Sequence, residues 1–198
     1  MERIGLLAGA GKLPVECAKA AKLLGYEVYA VALLPETDAE LKECTADCQS
    51  ISIAHLDAVL NYLKEHQVSK VTMIGKVTKE LLFSGKVQPD ARMLKLIMEL
   101  PDRKDDTIMM MFVRELAKAG IQAFDQTALI RRLMPHRGVI TKREPTAEER
   151  KDMEFGFRMA KEIGRLDVGQ TAVVKNMAVM ALEAIEGTDA CIHRGGQL

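Results

Sequence analysis

The residues with the plainest chemical promise lie near the start of the chain, in the stretch IGLLAGAGKLP at positions 4–14. The apolar run up to Ala8 is short, uncharged and stops at glycine, which is the pattern of a buried strand. Gly9 and Gly11 can take backbone conformations closed to other residues, and Pro14 suits the first turn of a helix, where a missing N–H costs nothing. A helix N-terminus reached through such a turn directs its N–H groups at whatever lies above the strand, and that favours an anion. Phosphate or nucleotide binding is therefore within the chemistry of this stretch. Two specific forms of it fail on spacing. A dinucleotide fingerprint needs a third glycine where Pro14 stands, and a Walker A loop needs four residues between its glycines and a Ser or Thr where Leu13 follows Lys12. A plain strand-turn-helix corner without a ligand stays open on these letters alone.

A second basic group, Lys76, follows directly on the predicted strand KVTMIG, at the carboxyl end where open α/β sheets place their ligands. Other chemistries find little support. Cys17, Cys44, Cys48 and Cys191 contain no C-x-x-C pair. Cys44 and Cys48 with His55 and His66 match no standard zinc spacing, so reduced structural thiols are expected. The 28 basic side chains balance 28 acidic ones, which gives no electrostatic case for nucleic acid. His136 and His193 read as surface or capping groups. The run Met109, Met110, Met111 and Phe112 reads as core, with a lipid-facing surface as the lesser alternative.

The elements that must position these residues alternate in the manner of an α/β protein. At 198 residues, with 48% apolar content, the chain is long enough for one large domain or two modest ones. Strands are predicted at 4–8, 27–33, 70–75 and 121–124. Helices are predicted from Pro14 to about residue 24 and over 56–66, 89–100, 107–119 and 127–133. Short links and apolar strands argue for a Rossmann-like parallel sheet covered on both faces. After Pro135 the texture becomes polar, and Pro145 before a capping-type Thr146 marks a helix over about 147–163. Two apolar strands joined by a hairpin at Lys175 and Asn176 follow, then a glycine turn at Gly187. The expected domains are 1–136 and a smaller α+β unit over 137–198. No stretch is long enough to span a membrane, and the start lacks the features of a signal peptide, so a cytoplasmic location is expected.

The second half is the more specific. From Gly138 to Gly196, GVITKREPT followed by DMEFGFRMAKEIGRLDVGQTAVVKNMAVMALEAIEGTDACIHRGG resembles the UDP-2,3-diacylglucosamine pyrophosphatases of lipid A biosynthesis, the LpxI family. LLAGAGKLP, MIGKV, PDARMLKLI and KDD in the first half are similar to the same family, so the resemblance covers essentially the whole chain. It implies hydrolysis of UDP-2,3-diacylglucosamine at the α-phosphate, giving UMP and 2,3-diacylglucosamine 1-phosphate, with a divalent ion, magnesium. It also implies a lipid-linked substrate met at the inner face of the cytoplasmic membrane by a peripheral protein. The family's chain continues past the EGTDA helix into a K-P-x-Q-D-x-R-x-D-x-P type segment that supplies an aspartate for catalysis. The unit over 137–198 is accordingly expected to be an incomplete C-terminal domain.

Such a reaction needs a charge clamp on phosphoryl oxygens and an activated water. Asp167, Glu186 and Asp189 are carboxylates beside glycine turns; Glu186 and Asp189 are the expected catalytic groups, with Asp189 as the metal ligand. Thr188 is expected to cap the next helix and leave its N–H groups directed at phosphate. Gly9, Gly11, Lys12, Lys76, Asp167, Gly169, Gln170 and Thr188 are the expected substrate contacts. Each has a plain alternative: turn and helix caps for the acids and Thr188, solvated loop charges for the lysines. Two other function classes remain. One is a non-catalytic nucleotide or UDP-sugar binding module; the other, an NAD-dependent oxidoreductase, is weakened by Pro14. Apolar helical faces could serve equally as core, homodimer seam or acyl groove.

Overall fold

The computed structural model describes residues 1–77 and 87–198 and divides into two compact units, Met1–Pro135 and His136–Leu198. In the first unit β1 (Glu2–Ala8), β2 (Tyr26–Ala32), β3 (Asp47–Ser50), β4 (Lys70–Ile74) and β5 (Gln122–Ala123) form one sheet in the order β3-β2-β1-β4-β5. All four pairings are parallel. Helices α1 (Leu13–Leu23), α2 (Leu56–Glu65), α3 (Ala91–Glu99) and α4 (Asp105–Lys118) lie between the strands, and α5 (Gln126–Leu129) follows β5.

Strand alternation sorts the core into two layers. Ile4, Leu6 and Ala8 of β1 pack with Val15 and Ala18 of α1 and Leu129 of α5. Leu7, on the other face, joins Leu63 of α2 and Phe112 and Leu116 of α4. The faces are not equivalent at Gly5, where a Cβ would stand 2.8 Å from Leu63 Cδ2 and 2.9 Å from Val71 Cγ2. Glycine there lets α2 lie close on the sheet.

Three features of the fold lie outside the sequence reading, each for a physical reason. Strand β3 was not expected, because Asp-Cys-Gln-Ser carries no apolar alternation; its edge position next to β2 needs backbone pairing and little burial. Met109 and Met110 are 48% exposed, whereas Met111 and Phe112 are buried; helical periodicity turns only part of the methionine run inward. The carboxylate of Asp90 caps α3 through Met93 N–H at 2.7 Å and also accepts Asp57 N–H of α2 at 2.7 Å. One side chain thus joins two helix N-termini that are far apart in sequence.

In the second unit α6 (Ala147–Arg165) precedes the hairpin of β6 (Ala172–Lys175) and β7 (Ala178–Leu182), and α7 (Thr188–Gly196) closes the chain. Thr146 and Glu149 form a capping box at the start of α6, as the Thr146 signal implied. The hairpin turn is Asn176-Met177, one residue later than expected, with φ of 52° and 60°. Two positive φ angles make this the kind of turn that follows strand twist, and the Asp152 carboxylate holds it by accepting Asn176 N–H at 2.8 Å and Met177 N–H at 2.6 Å.

Candidate functional site

Two constellations emerge, one in each unit. The first lies where the sheet changes direction. The chain leaves β1 for β2 on one side and returns to β4 on the other, so the loops after β1 and β4 meet at the carboxyl edge, where open α/β sheets bind ligands. Gly9 N–H donates to Ile74 O at 2.9 Å, Ala10 N–H to Lys76 O at 2.9 Å, and Lys76 N–H to Ala10 O at 3.0 Å. A Cβ on Gly9 would lie 2.6 Å from Lys76 O, and one on Gly75 would lie 2.9 Å from Gly9 N. Only paired glycines allow this approach. Gly11 has open space around it but a φ of 99°, so its requirement is conformational.

Helix α1 begins at Leu13 with Pro14 in its first turn and no side-chain cap, leaving first-turn N–H groups without intrahelical acceptors. Lys12 stands beside them. Its ammonium pairs with Asp38 at 2.9 Å and Glu40 at 3.3 Å, and its hydrogen bond to Asp38, followed by that to Glu40, holds its pKa above the ordinary lysine value. Glu40 also accepts from Lys19 at 2.7 Å. Lys12 is therefore charged and engaged by two acids at this turn. Lys76 contributes its backbone to the Gly9–Ala10 turn, and its side chain is exposed. An apolar cavity of about 180 Å³ in this unit is lined by Leu7, Leu33, Leu56, Met73, Ile108 and Phe112 among others.

The second constellation gathers the DVGQ and EGTDA motifs. At the end of α6, Asp167 adopts a φ of 56°, while Asp167 N–H bonds to Gly164 O at 3.0 Å and Val168 N–H to Ile163 O at 3.0 Å. This is a helix C-terminal turn, and it delivers Gly169 against β7. A Cβ on Gly169 would stand 2.2 Å from Glu183 O. Gln170 N–H then donates to Glu183 Oε2 at 3.3 Å. On the other side Gly187, at φ 87°, is the N-cap of α7.

Thr188 does not cap α7, contrary to expectation. Its hydroxyl is turned inward, 3.1 Å from both Glu183 carboxylate oxygens, and Thr171 Oγ1 lies 3.2 Å from it. Glycine serves as the cap because the chain must enter α7 at positive φ. Glu186 accepts from Arg194 Nη2 at 2.5 Å and from Ala184 N–H at 3.1 Å. Its pKa is lowered by a hydrogen bond from its own backbone N–H and then by Arg194. Asp189 is exposed in the first turn of α7.

Sequence reasoning missed Glu183, which is only 6% exposed. Its signal was faint: an acid at the end of the apolar run AVMAL. The hydrogen bond from Thr171 leads the causes that hold its pKa below the ordinary glutamate value, against a desolvation that raises it. The magnesium expectation gains no ligand set from this geometry. Among the described residues no three His, Cys, Asp or Glu side chains group so as to hold a metal ion. Glu186 is committed to Arg194, and Glu183 to hydroxyl and amide donors, so neither carboxylate is placed to hold magnesium. The cysteines are free thiols, and burial pushes Cys17 up to about 11.

A groove of about 1130 Å³ in the second unit is lined by Arg137, Ile140, Met153, Phe157, Val174 and Ile192 among others. Ile140 is 76%, Phe157 65% and Met153 62% exposed. Among the described residues no helix is long and apolar enough to cross a membrane.

Comparison with known proteins gives the same division of the chain. The family description of the LpxI N-terminal domain matches residues 3–133, and that of the LpxI C-terminal domain matches residues 136–198. The UDP-2,3-diacylglucosamine pyrophosphatase LpxI of Caulobacter vibrioides is 31% identical over 201 residues, an alignment spanning 100% of this chain and 70% of that relative. Among solved structures, UDP-glucose-4-epimerase from Stenotrophomonas maltophila is 15% identical over 62% of this chain and 35% of its own, with a TM-score of 0.40. Glycinamide-RNase-transformylase T from Mycobacterium tuberculosis is 20% identical over 42% of this chain and 23% of its own, with a TM-score of 0.33. Matched along both of its units by domain families of one protein, the chain belongs to the LpxI family.

Proposed function

We propose that this chain cleaves the diphosphate of UDP-2,3-diacylglucosamine, consuming one water and releasing UMP and 2,3-diacylglucosamine 1-phosphate. The observation that carries this reading is the match of the whole of this chain to 70% of a pyrophosphatase of that name. The gathering of DVGQ and EGTDA around one buried carboxylate supports it. A P–O bond to the bridging oxygen breaks as a water oxygen bonds to phosphorus, and the transition state places negative charge on the phosphoryl oxygens. Catalysis then depends on donors fixed in advance of that charge. Within the second unit the first-turn N–H groups of α7 are such donors; within the first, the uncapped start of α1 at the Gly9–Gly11 turn is by itself suited to an anion. Asp189, exposed at the start of α7, is the group we assign to accept the proton of the attacking water. Glu186 holds Arg194 and the Ala184 amide, so its role is to shape the turn.

The acyl chains of such a substrate require apolar surface. We assign them, together with a peripheral contact with the inner membrane, to the Ile140–Met153–Phe157 groove of the second unit. The testing assay is UMP release from UDP-2,3-diacylglucosamine by the 198-residue chain, alongside Asp189→Ala. A version extended to the family's usual C-terminus is assayed in parallel: UMP release by that version, and its loss on Asp189→Ala, are expected, and no UMP from either length would overturn the reading. Retention of UDP ligands with no UMP formed would favour a non-catalytic binding module. Water labelled with oxygen-18 decides which phosphorus is attacked: label in UMP means the α-phosphate, and label in the sugar phosphate means the β.

A further inference from the structure

A buried carboxylate with no ion-pair partner among the described residues needs an explanation, because removing its charge from water is costly unless hydrogen bonds replace the lost hydration. Glu183 is 6% exposed, and the partners gathered on it are hydroxyl and amide donors. Thr188 Oγ1 lies 3.1 Å from Oε1 and 3.1 Å from Oε2, and Gln170 N–H is 3.3 Å from Oε2. The Thr171 hydroxyl in turn donates to Thr188 Oγ1 at 3.2 Å, so the carboxylate orders Thr171 through Thr188. These donors come from the residues after DVG on one side and from the first residue of α7 on the other.

We propose that Glu183 is a positioning residue for the hydrolysis: its ionised carboxylate sets the direction of the Thr171 and Thr188 hydroxyls and locks the DVGQ turn against the start of α7. A threonine hydroxyl has one proton. Since Thr188 gives its proton to Glu183, it presents lone pairs outward and cannot donate to a phosphoryl oxygen. Donation to phosphate on this side therefore falls to the backbone N–H groups at the start of α7, whose placement follows from where Thr188 is held. A neutral side chain of the same shape would break this order. In Glu183→Gln the side-chain amide would offer N–H where the carboxylate offers only acceptors, so one hydroxyl must reverse and point its proton into the site.

The inference rests on the hydrolase reading, and its test separates the two. The kcat and KM for UMP release are measured for the 198-residue wild type, Glu183→Gln, Thr171→Val and Thr171→Ser, with thermal melting of each. Glu183→Gln and Thr171→Val are expected to lower kcat about 10- to 100-fold, the scale of a small misplacement of reacting groups. Their KM should stay within about twofold, because the change falls on the transition state and not on binding. Thr171→Ser, which keeps the hydroxyl, should restore most of kcat. Wild-type kcat in Glu183→Gln, or losses in all three variants that merely follow the unfolded fraction, would overturn the proposal. The same variants are made in the version extended to the family's usual C-terminus, and no UMP from either wild-type length would count against the hydrolase itself. In that event the Gln170 amide proton, read by NMR, still decides whether Glu183 holds the turn: unchanged shifts in Glu183→Gln would refute it.

Discussion

Replacing Gly169 with alanine tests the tightest backbone approach in the second unit. The new Cβ would sit 2.2 Å from Glu183 O and 2.7 Å from Glu183 C. Both are backbone atoms at the end of β7, so no side chain can swing aside. Relief to an ordinary contact requires the DVGQ turn and β7 to part by about 1 Å. Two hydrogen bonds cross that seam, Glu183 N–H to Thr171 O at 2.9 Å and Gln170 N–H to Glu183 Oε2 at 3.3 Å. Stretching both beyond bonding distance costs about 1 kcal/mol for the neutral bond and about 1.5–3 kcal/mol for the one to a carboxylate. Reduced freedom of the unfolded chain returns about 0.4–1 kcal/mol. The expected net loss is about 2–3 kcal/mol, which for a unit of this size lowers its melting midpoint by about 10–20 °C. Gly164→Ala is the internal control, because its Cβ would meet Gly169 O at 3.6 Å, an ordinary contact. Helix propensity should make that variant more stable by about 0.5–1 kcal/mol. The assay is amide hydrogen exchange followed peptide by peptide during thermal and denaturant unfolding, which isolates the His136–Leu198 unit. A Gly169→Ala protein that melts within about 2 °C of wild type would refute the contact and the argument built on it.

Three further outcomes follow from named contacts. Glu115, with a side chain only 4% exposed, accepts from Arg92 at 3.0 Å and Lys118 at 2.6 Å, and Glu115→Ala should cost about 2 kcal/mol in denaturant unfolding. That figure is less than for a wholly buried pair because both cations reach solvent; a loss under about 0.5 kcal/mol would contradict it. Glu149 is held down to about 2, first by Arg143 and then by Thr146 N–H. A depressed carboxylate adds stability above its unfolded value, so the first turn of α6 should keep its order at pH 5 and lose it as pH falls from about 4.3 toward 2. NMR shifts of the Thr146 and Glu149 amides that move only below pH 2, or in step with ordinary glutamates, would contradict this. Phe157→Asp, at a 65% exposed position, should leave melting unchanged and weaken co-sedimentation with phosphatidylcholine–phosphatidylglycerol vesicles at least threefold. Equal sedimentation would remove Phe157 from the membrane contact.

What the sequence made legible followed periodicity and special backbone chemistry. Buried strands such as β1 and β2 announced themselves as unbroken apolar runs, and Thr146 with Glu149 announced α6, because these signals are local. Strand β3 and the Asp90 bridge between α2 and α3 were not legible, since each exists only when distant segments meet. The site divides the same way. Gly9 and Gly11 were readable as a turn, yet the reason for Gly9 is Lys76 O, more than sixty positions away. Thr188 looked like a helix cap on local grounds, and a glycine before a threonine fits either residue as the cap. The buried Glu183 decides between them by taking the hydroxyl proton for itself. A carboxylate at the end of an apolar run usually marks where a strand reaches water. Here it marks the opposite: a charge folded inward and held by Thr188 and Gln170, with Thr171 behind Thr188, so that two motifs read separately in the sequence become one constellation.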